Sequence, residues 1–208
     1  MTYVTRMAIG GILLLGAGCG GGGGSGGFEI DLASDAAYDG FVTQGGGTAN
    51  GFLLVGDEND NSGIRGVYRF SLAALPAGVT VVQAILNTYQ FEVTGPPFPY
   101  PSLGNVLVDS IDLDAAPNPG LDATDYSSVA FSTVPGILSN SATLGQRSID
   151  VTAAVQADVA GLRLFSDFRV YFANQTNSNL TGDQIKLVSA LDSGGSGHFP
   201  RLTVSYVP

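Results

Sequence analysis

The sequence predicts an all-β protein: an antiparallel two-sheet β-sandwich, jelly-roll-like, with one short helix. Three observations predict it. Apolar residues alternate with polar ones in short runs, clusters of Gly, Pro, Asn and Asp interrupt those runs, and a single segment carries helical spacing instead. Alternation with period two buries one face of a strand, whereas spacing at i, i+4 and i+8 buries one stripe of a helix. The chain has 208 residues, 44% of them hydrophobic, which is enough for one core. No second linker or break in composition divides it after residue 28, and no repeat of roughly 20–50 residues is visible, so propellers and solenoids are set aside.

The first segment is a leader. Thr5-Arg6 precedes the apolar run Met7 to Leu15, and Gly16-Ala17-Gly18 ends at Cys19, the one cysteine of the chain. A basic start, a short apolar stretch and small residues make a secretory signal, too short for the ~20 residues a bilayer needs. Small residues ending at a cysteine resemble the bacterial lipoprotein lipobox, although Leu15 lies four places before Cys19 where that pattern prefers three. The resemblance implies cleavage before Cys19, lipid on Cys19, and an exported domain held at the cell envelope by a membrane anchor. Gly20 follows where an aspartate would resemble an inner-membrane retention signal, which points to the outer membrane or cell surface. Residues 20–27, seven glycines and one serine, form a flexible tether of about 15 Å root-mean-square reach. The organisation is thus leader 1–19, linker 20–27 and domain 28–208.

Within the domain the strand candidates run in order: Phe28 to Leu32, Ala37 to Val42, Phe52 to Val55, Ile64 to Leu72, Val79 to Leu86, the alternating Tyr89-Phe91-Val93, Asn105 to Leu113, Phe168-Val170-Phe172, Ile185 to Leu191, and Leu202-Val204-Tyr206. That is about ten short strands. Val82, Ala84 and Leu86 are apolar at even positions before the odd face takes over at Tyr89, which predicts a bulge near Asn87. Val151, Val155 and Val159 followed by Gly161 predict the helix, with Asp150 or Thr152 as N-cap.

Composition excludes several functions. Eight Lys and Arg stand against eighteen Asp and Glu; without Arg6 the remainder carries a formal charge of −11. Such a surface repels nucleic acid and favours cations or neutral ligands. With Cys19 committed to the leader, no thiol remains for disulfides, zinc thiolates or nucleophilic catalysis. One histidine, His198, rules out a multi-histidine metal centre, and its Gly-rich loop reads as a surface turn.

Three stretches carry a family likeness: Tyr68 to Val81 with Ala84-Ile85-Leu86, then Ile149-Asp150-Val151-Thr152, then Phe199-Pro200-Arg201-Leu202-Thr203-Val204-Ser205-Tyr206. Together they resemble the DNRLRE-domain family of secreted jelly-roll modules, related to a polysaccharide-binding module of alginate-active enzymes. The likeness spans most of Ala37 to Tyr206 and implies a non-catalytic, carbohydrate-binding-module-like domain with polysaccharide as partner. That family often carries a mid-domain tryptophan. This chain has none, and Tyr126 with Phe131 stands in that place.

The candidate ligand residues are therefore aromatic: Phe98 and Tyr100 in the stiff loop Gly95-Pro96-Pro97-Phe98-Pro99-Tyr100-Pro101, and Tyr126. Folding of both loop rings back over a sheet edge is the other reading. Asp57, Asn59, Asp60 and Asn61 gather oxygen ligands in one tight loop, the chemistry that calcium requires. Ser62 and Tyr68 occupy the places where an EF-hand has Gly and Glu, so any calcium site here is irregular; a solvated hairpin tip is its alternative. Asp109, Asp112, Asp114, Asp122 and Asp125 make a second acidic stretch, and paired carboxylates of this kind serve polysaccharide lyases and hydrolases when held about 5–9 Å apart. The rival functional classes are a structural or adhesive surface protein with a protein partner and, behind it, such an enzyme.

Overall fold

The computed structural model describes residues 27–99, 101–113 and 120–208; Cys19, Tyr100 and Asp114 lie outside the described residues. Twelve strands and one α-helix are described: β1 (Phe28–Ala33), β2 (Gly40–Thr43), β3 (Thr48–Asn50), β4 (Leu53–Asp57), β5 (Gly63–Ser71), β6 (Thr80–Thr94), β7 (Val106–Ile111), β8 (Ser132–Thr133), β9 (Gly145–Asp150), α1 (Thr152–Ala160), β10 (Phe165–Phe172), β11 (Gln184–Leu187) and β12 (Arg201–Val207). The fold is all-β and antiparallel with one short helix, as the alternation requires.

The strands form one hydrogen-bonded sheet in the order β1-β12-β6-β11-β4-β5-β10-β7-β8, with β9 added to β6 and the β2–β3 hairpin added to β5. The strands expected in two packed layers are thus joined by one continuous ladder. β11 bonds to β6 on one side and β4 on the other, and β4 continues into β5, so the hydrogen-bond ladder passes from one half to the other without interruption. The sheet curls until its halves face each other across a shared core. Leu202, Val204, Ala84 and Leu86 from one half meet Tyr68, Phe70, Phe168 and Val170 from the other. Each fully buried ring or branched chain of this kind stabilises the fold by roughly 1.5–3 kcal/mol. The Tyr68 hydroxyl, fully buried, ties the halves directly: it lies 2.6 Å from Thr88 Oγ1 on β6 and donates to the Val188 carbonyl at 2.7 Å.

β6 departs from its sequence reading. Its inward row runs Ala84, Leu86, Thr88, Gln90, and Tyr89 points outward. The bulge near Asn87 is replaced by two register shifts, one opposite Ser205/Tyr206 and one opposite Lys186/Leu187. Alternation misled here because two polar residues face inward, and both are satisfied there: Thr88 by Tyr68, and Gln90 by the Ser139 hydroxyl at 2.7 Å and the Ser141 carbonyl at 3.0 Å.

Helix α1 packs against β6 and β10 through Ala154 and Val155. Val151, not Asp150 or Thr152, holds its N-cap position. Asp150 instead accepts the Thr152 N–H at 2.8 Å, while the Thr152 hydroxyl accepts the N–H of Ala84 at 2.9 Å, joining the helix start to the edge of β6. The N–H of Gly161 closes the last turn on Ala157 O.

Candidate functional site

The outward faces of the two halves differ, and the difference locates the site. Across β9, β6, β12 and β1 a row of short polar residues faces outward. Ser148 donates to Asn87 Oδ1 at 2.7 Å, the Asn87 amide donates to Thr203 Oγ1 at 3.2 Å, and the Thr203 hydroxyl donates to Asp31 at 2.6 Å. A ladder of side-chain hydrogen bonds thus crosses four strands, with Arg201 closing on Asp31 at 3.3 Å. Register explains it: Ser148, Asn87 and Arg201 lie opposite one another, and Thr203 lies one pleat along.

One wall of this face is the loop between β11 and β12. Its backbone can lie flat on β6 because Gly194 has φ +57° and a Cβ there would fall 2.3 Å from the Phe91 ring. Beyond it, His198 stacks on Tyr89 with ring centroids 4.6 Å apart and planes within 8°. The loop and the ladder enclose an open cleft of about 300 Å³, lined by Asn87, Thr88, Gln146, Gly197, His198, Phe199, Arg201 and Thr203. Phe199 leaves 46% of its surface exposed at the rim. Amides, a hydroxyl, a guanidinium and ring surfaces face one small volume, an arrangement that matches hydroxyl-rich ligands, which need both hydrogen bonds and apolar faces.

The outward face of β5, β10 and β7 is covered instead. Arg69, almost fully buried, makes a two-point pair with Asp167 at 2.8 and 2.9 Å and lies 4.1 Å from the Tyr38 ring centre. Arg169 binds Asp109 at 2.9 Å and the Ser128 carbonyl at 2.7 Å. Arg163 binds Asp158 and Asp112, each at 3.2 Å. Burial raises the carboxyls of Asp39, Asp125 and Asp158, and Asp39 reaches about 7. The Asp109 and Asp112 carboxylates considered for catalysis are thus engaged by arginines.

The sequence-selected aromatic residues that are described turn inward. Phe98 is half-buried and packs on Phe172 at 5.2 Å between centroids. Tyr126 is 8% exposed, with the Arg65 guanidinium 4.3 Å over its ring and its carbonyl accepting from Arg65 and Arg169. Both rings cover protein groups instead of presenting open platforms; Tyr100 lies outside the described residues.

Asp57, Asn59, Asp60 and Asn61 do sit together at the β4–β5 turn, but their oxygens receive backbone donors. Asp57 accepts from Asp183 N at 2.9 Å, Asn59 from Gly182 N at 2.7 Å, Asn61 from Leu180 N at 3.0 Å and Asp60 from Ser62 N at 2.8 Å. Among the described residues no three His, Cys, Asp or Glu side chains converge as a metal-binding group. The loop's partner is the segment of residues 177–183.

The cleft residues come from three separated stretches of sequence, and no motif announces them; the one available signal was His198 followed by an aromatic in a Gly-rich loop. No protein-family model matches the chain, and no curated protein sequence matches it.

Proposed function

We propose that this protein is a lipid-anchored module of the cell envelope that binds polysaccharide without catalysis, through the cleft on β9, β6 and β12. The observation that carries the reading is the convergence of Asn87, Gln146, Thr203 and Arg201 with the His198–Tyr89 stack and the exposed Phe199 ring around one volume of about 300 Å³. Sugar hydroxyls pair with amides and guanidinium, while the apolar faces of the pyranose ring lie on aromatic edges. A formal charge of −10 favours neutral glycans over anionic ones. The likeness to DNRLRE-domain modules supports the same ligand class, and the Cys19 leader with its glycine tether supports display from a membrane, with the outer membrane preferred.

A glycan array followed by calorimetry on the best neutral glycan tests this. Asn87→Ala and His198→Ala are expected to weaken binding at least tenfold with unchanged circular dichroism. Wild-type affinity in both variants would remove the cleft from consideration.

The adhesive reading keeps one observation of its own. Phe28, Pro76, Ala77, Val79, Tyr206 and Pro208 line an apolar hollow of about 320 Å³ at the opposite end of the same half, and Phe28 there is 54% exposed. Self-association that sugars do not alter, lost on Phe28→Ser, would favour it.

A further inference from the structure

We infer, taking the cleft as the glycan site, that the hydrogen-bonded row across β9, β6, β12 and β1 extends it into one groove for an uncharged glycan of several residues, laid across the strands. The donors on this row are already engaged. Ser148 gives its hydroxyl proton to Asn87 Oδ1 at 2.7 Å. Both N–H groups of the Asn87 amide are taken, one by the Ile85 carbonyl at 3.3 Å and one by Thr203 Oγ1 at 3.2 Å. Thr203 donates its proton to Asp31 at 2.6 Å, and two residues further along β12 Ser205 donates to Glu29 at 3.4 Å. From strand to strand these bonds all run toward β1 and end on carboxylates. A hydroxyl or amide oxygen has two lone pairs, so after these bonds Ser148, Asn87 and Thr203 keep acceptors and no donor.

A ligand on the row must therefore supply the protons. A sugar hydroxyl does so. A uronate carboxylate or a sulfate ester brings only acceptors, and it brings negative charge toward Asp31, whose side chain is 47% exposed, and toward the exposed Glu29. Arg201 does not reverse this, because its guanidinium already faces Asp31 at 3.3 Å. Neighbouring strands lie about 4.8 Å apart, so the row covers three gaps, roughly 14 Å from β9 to β1. That is longer than one sugar ring and suits a short run of a linear chain. Along it Ile85, half-buried between Asp150 and Thr203, offers an apolar floor for ring C–H groups. The loop before β12 walls one side of the groove, and among the described residues β1 is the last strand of its half, so a longer glycan runs off the sheet there. Internal segments of a polymer then bind as well as chain ends.

The test is calorimetry with gluco-, manno- and galacto-oligosaccharides of one to about six residues and, at each length, their uronate counterparts. In the neutral series that binds, affinity is expected to rise about tenfold from disaccharide to tetrasaccharide and then level off, the effect of one or two further hydrogen bonds. The uronate counterpart is expected to bind about tenfold more weakly at every length. Asp31→Ala, which lies outside the cleft lining, is expected to weaken the tetrasaccharide about fivefold while the disaccharide stays within about twofold of wild type. Ser205→Ala leaves Asp31 in place and should act in the same direction by about twofold, which keeps the test open if Asp31→Ala folds poorly. Equal affinity for disaccharide and tetrasaccharide, or for neutral and uronate chains, with binding still weakened by Asn87→Ala, would overturn the extended groove and leave the cleft standing. An unchanged tetrasaccharide affinity in both variants would do the same. No binding of any neutral series would overturn the groove and the cleft together.

Discussion

The two outward faces are built from the same kind of strand and end in opposite states. Over β5, β10 and β7 the outward positions hold Arg69, Asp167, Arg169 and Asp109, buried beneath Tyr38 and Tyr126. Over β9, β6, β12 and β1 they hold Ser148, Asn87, Thr203 and Asp31, linked sideways and open to water. Long guanidinium groups with five donors can bond both to carboxylates and to the carbonyls of a covering segment, so they draw a second layer over the sheet. Short hydroxyls and amides link sideways along the sheet and do not reach out far enough to hold such a layer. Residue reach therefore decides which face becomes structure and which stays available to ligand.

The comparison breaks hardest at Arg69. Arg69→Met leaves the buried Asp167 carboxylate without its two-point partner and is expected to cost about 3–5 kcal/mol by urea denaturation. Arg69→Met combined with Asp167→Leu should recover much of this, because both charges leave together. If the single variant loses less than about 1 kcal/mol, the covered face is not held by its charges.

Acidity separates the faces next. Asp39 sits in the covering segment with a carboxyl raised from 3.8 to about 7, first by burial, against bonds from Ser34 and Ala190 that lower it. A raised carboxyl means that between those two values the folded chain holds a proton the unfolded chain has released. Stability therefore falls as pH rises from about 4 to about 7 and levels off above, and burial of Asp125 and Asp158 acts in the same direction. The melting midpoint should be higher at pH 5 than at pH 8, and Asp39→Asn should flatten the difference. An unchanged slope in that variant would remove Asp39 from the account. The smallest effect belongs to the open face: Gln146→Ala is expected to change stability by less than about 0.5 kcal/mol, as for exposed sites without buried partners. A larger loss would make this wall of the cleft a structural device.

Most of the fold was legible because burial on one side of a pleat writes itself into alternation; β1, β5, β7, β10 and β12 lie where the pattern placed them. β3, β8 and β9 were missed for a physical reason. Thr48–Asn50 is exposed throughout, Ser132–Thr133 has two residues, and Gly145–Asp150 buries only Ile149, so none carries a pattern to read. The site was less legible. The acidic residues at 57–61 were visible as a group, but Asp183 joins them only through folding across more than a hundred residues. Asn87, Gln146 and Thr203 are likewise neighbours through strand register, and His198 joins them through the loop before β12 by stacking on Tyr89. Phe98 and Tyr126 looked available because sequence shows that a ring exists, not which arginine or phenylalanine it covers.

Among the described residues β1 is an edge strand paired with β12 alone, from Phe28 opposite Tyr206 to Ala33 opposite Arg201. The polar cleft lies level with Arg201, at the Ala33 end, and β1 begins at the other end with Phe28. If, as proposed, a ligand holds the cleft and an anchor pulls on the start of β1, tension runs along the strand axis. All six residue pairs then carry the load together in shear, and no single pair has to yield first as it would in a zipper.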